Sequence, residues 1–135
     1  MSYDGLMDVT KATDVRTALL CAQLYLRIGK RRFEKGSSAT GIAALYNAVL
    51  FGMRYYVAKH KRCASFIENM DLWDATSLFH ALTRAGVFDD PYAFNRFSLI
   101  VERALWQASF SFDPDTTLAE VETILSKLGV RSWNE

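Results

Sequence analysis

The side chains in this sequence that are best suited to chemistry are concentrated between positions 54 and 62. They combine cations, which attract phosphate groups, with a histidine that can exchange protons near neutral pH and with tyrosine rings on which a base can stack. This combination favours a surface that binds a nucleotide or RNA. The residues concerned are Arg54, Tyr55, Tyr56, Lys59, His60, Lys61 and Arg62.

The basic residues of the first half form two clusters. The 59–62 cluster comprises Lys59, His60, Lys61 and Arg62, and the 30–35 cluster comprises Lys30, Arg31, Arg32 and Lys35. If each cluster ends one helix of an antiparallel hairpin, the two lie about 30 Å apart, at opposite ends of 20-residue helices. They therefore predict two separate patches, and the tyrosines favour the 59–62 cluster as the one that binds a ligand.

The charge distribution leaves a second interpretation of these clusters open. Residues 1–62 hold 11 basic and 4 acidic side chains, net +7, whereas residues 63–135 hold 5 basic and 11 acidic ones, net −6. The total of +1 argues against a histone-like protein. Cations in the last turn of a helix complement its dipole, and they could pair with carboxylates of the acidic half or of a second subunit. In that case the clusters are structural.

A catalytic alternative rests on Arg54 and His60, which together could cleave RNA without a metal ion. Six positions along a helix separate them by about 9 Å of rise and about 120° of rotation, so one chain cannot easily grip one phosphate with both. A dimer could supply both groups to one site, with His60 as acid or base. Otherwise the two residues are solvated side chains near a helix end.

Other kinds of site are not predicted. The Cys, His, Asp and Glu residues lack the spacing of metal ligands, and there is no glycine loop of the kind that binds nucleotide phosphates, so we expect no metal and no cofactor. Cys21 and Cys63 are interpreted as reduced thiols. No apolar run approaches the roughly 20 residues that cross a bilayer, and the first residues do not resemble a signal peptide. We expect a cytoplasmic protein that does not enter a membrane.

The elements that must position these side chains are all helices. The chain is interpreted as one domain, 1–135, with an N-terminal extension at 1–12 and a C-terminal tail at 130–135. Apolar spacings of three and four residues, together with capping residues and glycines, predict helices over 13–35, 39–60, 71–85, 91–109 and 115–128. Residues 63–70 are left unassigned. The predicted fold is an all-α, up-and-down bundle of four to five helices that begins with a long antiparallel hairpin.

Local signals specify how these helices begin, end and pack. Thr13 is expected to cap the first helix, Ser37 and Ser38 the second, and Asp90 the fourth, with Pro91 as its first residue. Small residues at positions 41, 43, 44 and 48 permit a close neighbour. The fourth helix is expected to face inward with Phe94, Phe97, Val101, Ala104, Leu105 and Ala108. The aromatic series Phe94, Phe97, Trp106, Phe110 and Phe112 is assigned mostly to the core. A helix that is apolar all round is either the bundle centre or a dimer interface, so we expect a homodimer.

Five segments carry a resemblance to a known family. Residues 31–36, Arg-Arg-Phe-Glu-Lys-Gly, followed by 43–51, Ala-Ala-Leu-Tyr-Asn-Ala-Val-Leu-Phe, resemble the helical hairpin of the HEPN (higher eukaryotes and prokaryotes nucleotide-binding) superfamily. Residues 82–86, 97–103 and 117–128 are similar to its later helices. The resemblance implies a bundle of four to five helices that commonly dimerises. Some members are metal-independent endoribonucleases, and others bind nucleotides or RNA or assist a nucleotidyltransferase partner.

The resemblance also assigns Arg103 to the position of the family's functional arginine. Ribonuclease members carry a polar residue after this arginine and a histidine shortly beyond it, whereas this chain has Ala104 and no histidine over 108–110. We therefore expect a non-catalytic domain that binds a nucleotide, RNA or a partner protein, with Arg103 added to the binding residues. The alternatives are the endoribonuclease that uses Arg54 and His60 across a dimer, and a structural homodimeric module.

Overall fold

Six α-helices make up the part of the chain that the computed structural model describes, residues 14–107 and 109–131, and no strand occurs there. The helices are α1 (Val15–Glu34), α2 (Ser38–Lys59), α3 (Ala64–Ile67), α4 (Ala75–Arg84), α5 (Ala93–Trp106) and α6 (Pro114–Lys127). A single 3₁₀ turn, Lys61–Cys63, joins α2 to α3. The prediction of an all-α bundle is confirmed. The turn and α3 occupy most of the stretch that the sequence left unassigned.

The antiparallel hairpin of α1 and α2 has the predicted form. Gly36 ends α1 in the left-handed region, with φ of 81°, which a residue without a Cβ adopts at little cost. Ser37 occupies the N-cap position of α2, but its side chain makes no capping hydrogen bond, contrary to expectation. Asp14 holds the N-cap position of α1. The expected cap Thr13 and the extension at 1–12 lie outside the described residues.

The two helices of the hairpin touch where each carries a glycine. A Cβ on Gly29 would lie 2.5 Å from Leu45 Cδ2 and 3.1 Å from the carbonyl oxygen of Gly41, and a Cβ on Gly41 would lie 2.5 Å from Phe33 Cδ1. The backbones can approach this closely only because both side chains are absent. The predicted close contact at position 41 is therefore present, and Gly29 is its counterpart on α1.

The central element of the bundle is α2, which packs against α1, α4, α5 and α6. Contacts between side chains show in which direction the neighbouring helices run relative to one another. Contact of Phe33 with Phe112 and the ion pair of Lys30 with Glu122 show that α6 runs antiparallel to α1. The ion pair between Arg96 and Glu120 joins α6 to α5, which runs antiparallel to it. The four long helices α1, α2, α5 and α6 thus alternate in direction.

Asp74 caps α4 with its side chain. Its Oδ1 accepts a hydrogen bond from the backbone N–H of Ser77 at 3.1 Å, and its Oδ2 accepts one from the Ser77 hydroxyl at 2.8 Å. The helix therefore begins at Ala75 rather than at Asp71, where we expected it. The carboxylate of Asp71 instead accepts from the N–H of Trp73, in a turn that precedes the helix.

The fourth predicted helix, α5, is shorter than expected at both ends. Asp90 Oδ1 accepts from the N–H of Tyr92 in a local turn, and the helix begins at Ala93 rather than at Pro91. It ends at Trp106 instead of near Ser109. In contrast, α6 begins one residue earlier than predicted, because Pro114 takes the first helical position after the cap Asp113.

The inward face of α5 is narrower than predicted. Phe94, Phe97 and Val101 are buried as expected. Leu105 is 48% exposed, so its inward placement is wrong, and Trp106, of the aromatic series assigned mostly to the core, is 83% exposed. The reason is that α2, and not α5, occupies the centre of the bundle. Ala108 lies outside the described residues.

The part of the chain that packs on the bundle extends into the predicted C-terminal tail, 130–135. Val130 is buried, and the carbonyl oxygen of Arg131 accepts a hydrogen bond from Gln23 Nε2 at 2.9 Å. Gly129, with φ of 80°, makes the turn that returns the chain to α1 and α2. Residues 132–135 lie outside the described part of the chain.

Replacement of Gly29 by Ala tests the close contact of α1 and α2. In an exposed helix this change stabilises by about 1 kcal/mol, because alanine favours the helix. Here the added methyl group would overlap Leu45, which is itself fully buried, so we expect a net loss of about 1–3 kcal/mol. Chemical denaturation measures it, with the exposed Thr76→Ala in α4 as control. A stabilised Gly29→Ala variant would show that the contact is not tight.

Removal of the α4 cap should have an effect that depends on pH. The hydrogen bonds from Ser77 lower the pKa of Asp74, so the stabilisation is present at neutral pH and is lost as the pH falls through that lowered value. We expect Asp74→Ala to cost about 1 kcal/mol at pH 7. The gap from the wild type should narrow below about pH 4, where unfolded aspartate begins to protonate. Thermal unfolding across pH measures this, with the exposed Glu68→Ala as control; a constant gap would contradict the ionic cap.

Candidate functional site

The 59–62 cluster lies where α2 ends and the 3₁₀ turn begins. Lys59 is the last helical residue, His60 holds the C-cap position, and Lys61 and Arg62 lie in the turn. Lys59, Lys61 and Arg62 are exposed, whereas His60 is half-buried. Positive side chains at this position are favoured by the partial negative charge of the helix C-terminus. The structure thus brings all four members together on one end of the bundle.

An aromatic stack fixes the centre of this cluster. The rings of Tyr56 and His60 stack with centroids 4.1 Å apart, and Arg62 Nη2 donates a hydrogen bond to the Tyr56 hydroxyl at 2.7 Å. The guanidinium carbon of Arg62 lies 5.8 Å from the centroid of the same ring. These contacts hold three potential ligand-binding groups in a defined arrangement beside the exposed Lys61.

Arg62 also links the cluster to the end of α4. Its Nη1 donates to the carbonyl oxygen of Ala85, the C-cap residue of α4, at 3.2 Å. The neighbouring Arg84 is exposed and extends the basic surface. Sequence reasoning missed this residue because it lies 22 positions away in the chain. The sequence signal that could have indicated Arg84 is its position in the last turn of a predicted helix, where a basic residue is often exposed.

Tyr55, which we expected to bind a ligand, faces the interior. Its side chain is buried, and its hydroxyl accepts a hydrogen bond from Lys59 Nζ at 3.1 Å. The contact orients Lys59 along the end of α2. Tyr56 is therefore the tyrosine whose ring lies beside the exposed cations.

Arg54 does not reach the surface, so its interpretation as a solvated side chain is wrong. It is 2% exposed, its Nη1 donates to the carbonyl oxygen of Leu72 at 3.0 Å, and its guanidinium lies 4.1 Å from the centroid of the Trp73 ring. Burial lowers the pKa of Arg54, and the carboxylate of Asp71 acts in the opposite direction. The residue anchors the segment before α4. This geometry lends no support to the ribonuclease alternative, which stays a hypothesis.

Carboxylates of the second half pair with cations other than those of the 59–62 cluster. Glu122 lies 3.0 Å from Lys30, Arg96 is held by two carboxylates, and Asp89 lies 3.1 Å from Lys127. Within residues 14–107 and 109–131, no carboxylate lies at ion-pair distance from any member of the 59–62 cluster. Pairing between the basic and acidic halves therefore accounts for Lys30 but not for this cluster.

The 30–35 cluster differs from the 59–62 cluster in its aromatic neighbour. Arg31, Arg32 and Lys35 are exposed at the end of α1. The adjacent Phe33 packs against Gly41 and against the ring of Phe112. Phe33 is therefore committed to the bundle, whereas Tyr56 bonds to an exposed cation of the 59–62 cluster.

Arg103 lies away from the 59–62 cluster. It is exposed on α5, next to Glu102, which lines a groove with Ala43 and Asn47 of the first half of α2. Because the 59–62 cluster follows the opposite end of α2, the structure does not bring Arg103 into the same surface. A single site that contains both is not formed within one chain.

Other kinds of site have little to support them in the described residues. No group of three or more His, Cys, Asp or Glu side chains there could hold a metal ion, and none of the described helices is long and apolar enough to cross a membrane. Cys63 is fully buried, which raises the pKa of its thiol. Comparison of the chain with family models, curated proteins and solved structures finds no match.

Replacement of Arg54 by Met tests the role of this residue in anchoring the segment before α4. The variant keeps an unbranched side chain but loses the hydrogen bond to Leu72 and the cation–π contact with Trp73. We expect a loss of about 1–3 kcal/mol in the free energy of unfolding, measured by chemical denaturation. The same substitution at the exposed Arg31 is the matched control and should change stability by less than about 0.5 kcal/mol. Equal effects at the two positions would contradict the anchoring role.

Proposed function

We propose that this chain is a non-catalytic α-helical domain that binds the phosphate groups of RNA or of a nucleotide at the end of α2. The observation that carries the proposal is the 59–62 cluster itself. Its exposed cations have no carboxylate at ion-pair distance in the described part of the chain, and one of them, Arg62, bonds to Tyr56, whose ring stacks on His60. Phosphate binding needs unneutralised cations, and a base needs a flat ring nearby.

The geometry leaves capacity for a ligand on these side chains. Arg62 uses one nitrogen for the Tyr56 hydroxyl and another for the carbonyl oxygen of Ala85, both neutral acceptors, so its charge is not compensated. Guanidinium has five N–H donors, and those left over can bind phosphate oxygens. Lys61 is exposed beside it, and Arg84 extends the positive surface toward α4. The anion would be held by these side chains, beyond the negative end of the α2 dipole.

The resemblance to the HEPN superfamily agrees with this proposal, since some members bind nucleotides or RNA without cleaving them. We likewise propose that the chain is a member of this superfamily, that it has a nucleotidyltransferase partner and that it is cytoplasmic. We also propose that the chain forms a homodimer. The support for a dimer is that α5 leaves large apolar side chains exposed, among them Leu99 and Trp106.

Charge reversal at Lys61 tests the proposed surface. We expect a fluorescently labelled single-stranded RNA to bind at low salt, with the affinity falling steeply as salt rises. Lys61→Glu should weaken binding about five- to tenfold and reduce the salt slope by about 1. ATP, added as a competitor, distinguishes a nucleotide from RNA as the ligand. Fluorescence anisotropy of the labelled RNA measures its affinity, the dependence of that affinity on salt, and the competition by ATP.

Lys35→Glu is the matched control, because Lys35 is also exposed at a helix end and the charge change is the same. It should lower RNA affinity much less than Lys61→Glu. Equal losses would indicate attraction by net charge rather than by the 59–62 cluster, and absence of binding at low salt would exclude the proposal. RNA cleavage in the same samples would favour the ribonuclease alternative.

A further inference from the structure

A ridge of large apolar side chains follows the outer face of α5. Tyr92 immediately precedes the helix and is 66% exposed, Leu99 is 48% exposed, and Trp106 is 83% exposed. The three are spaced by seven residues, which places them on one line along an α-helix, as in a helix that packs against another helix. Tyr and Trp are also the residue types enriched in the centres of protein interfaces.

The other faces of α5 adjoin the rest of the bundle. Phe94, Phe97 and Val101 face the core, the groove along Val101 and Leu105 adjoins α2, and Arg96 reaches α6 through Glu120. The ridge lies between these two flanks, and its last residue, Trp106, also borders the groove on the α2 side. Within the described part of the chain, no element covers it.

We infer that this ridge binds the same ridge of a second copy of the chain, with the two α5 helices antiparallel and a two-fold axis at Leu99. The inference rests on the homodimer proposed above and specifies its interface. In this register Leu99 meets its own counterpart, and Tyr92 lies against the partner's Trp106. All three exposed apolar residues of the ridge are then covered, as an isologous contact requires.

On one flank of the ridge, the charged side chains of the two copies are complementary in this antiparallel register. Arg96 lies 2.8 Å from Asp90 and 3.1 Å from Glu120, so this group of three side chains carries one net negative charge. Residues 96 and 103 occupy equivalent positions one heptad apart, and antiparallel pairing places such positions opposite each other across the two-fold axis. The partner's Arg103 therefore meets the Asp90–Arg96–Glu120 group and balances two carboxylates with two guanidinium groups.

The opposite flank pairs an amide with a carboxylate. Asn95 and Glu102 are likewise one heptad apart, and the same register sets Asn95 opposite the partner's Glu102. The side-chain amide of Asn95 can donate to that carboxylate. Each flank therefore meets complementary groups of an identical chain, which favours a second copy over an unrelated protein. Antiparallel helices also oppose their dipoles, which favours this direction over a parallel pair.

The small size of the proposed α5–α5 interface predicts a weak dimer. α5 has 14 residues and so is about 21 Å long, and an interface built on one such helix lies near the lower end of those found in stable complexes. We therefore expect a dimer that dissociates on dilution within the micromolar range. Sedimentation equilibrium over that range and above it measures the association.

Replacement of Trp106 by Ser should weaken the association at least tenfold without loss of helix content by circular dichroism. Leu24→Ser on α1 removes another exposed large apolar side chain, 44% exposed, and should leave the association unchanged. A wild-type chain that stays monomeric at high micromolar concentration would overturn both the homodimer and this interface. A dimer that tolerates Trp106→Ser but not Leu24→Ser would overturn only the interface.

Cross-linking with a short bis-maleimide determines the direction of the helices, in a Cys21→Ser background in which the remaining Cys63 is fully buried. An equimolar mixture of Asn95→Cys and Glu102→Cys chains should give a cross-linked dimer, whereas each variant alone should give little. Leu99→Cys alone should cross-link with itself. Efficient self-cross-linking of Asn95→Cys would indicate a parallel pair and overturn the proposed register.

Discussion

The burial of α2 is the constraint on which the rest of the structure depends. Twelve of its 22 residues are buried, whereas α1, of similar length, buries four. A helix can be covered on so many sides only if its neighbours approach closely, and Gly29, Gly41 and Gly52 are the points at which side chains of neighbouring helices would otherwise collide with a Cβ. Once α2 is central, α1, α4, α5 and α6 each take one of its faces, and no other helix needs to be apolar all round.

The position of α2 also explains the candidate binding surface. Near the end of α2, two side chains are buried in the core. Arg54 donates to the carbonyl oxygen of Leu72, and Tyr55 accepts a hydrogen bond from Lys59. The chain then changes direction at His60. Arg62 completes this junction by bonding to the end of α4. The contacts that hold the junction use neutral acceptors, so they stabilise it without neutralising its cations. Structural anchoring and ligand binding are therefore compatible in the same few residues.

A central α2 has the opposite consequence for α5. Because α5 covers one side of the bundle, only Phe94, Phe97 and Val101 are buried, and its remaining large apolar side chains face outward. The sequence prediction placed Leu105, and most of an aromatic series that contains Trp106, in the core, since apolar character alone does not distinguish a central helix from a peripheral one that has a second interface. Of these residues, Trp106 belongs to the ridge that supports a dimer, together with Tyr92 and Leu99.

The sequence alone determined the five longer helices, their order and the antiparallel hairpin, because these depend on local signals: apolar spacing and the left-handed glycines at 36, 86 and 129. It also located the 59–62 cluster, which is continuous in the chain. Only the tertiary structure decided that Arg54 and Tyr55 are buried, that Arg84 joins the cluster and that Arg103 lies elsewhere. These outcomes depend on which helix occupies the centre and on contacts between residues distant in the chain, neither of which is encoded in the pattern of any single helix.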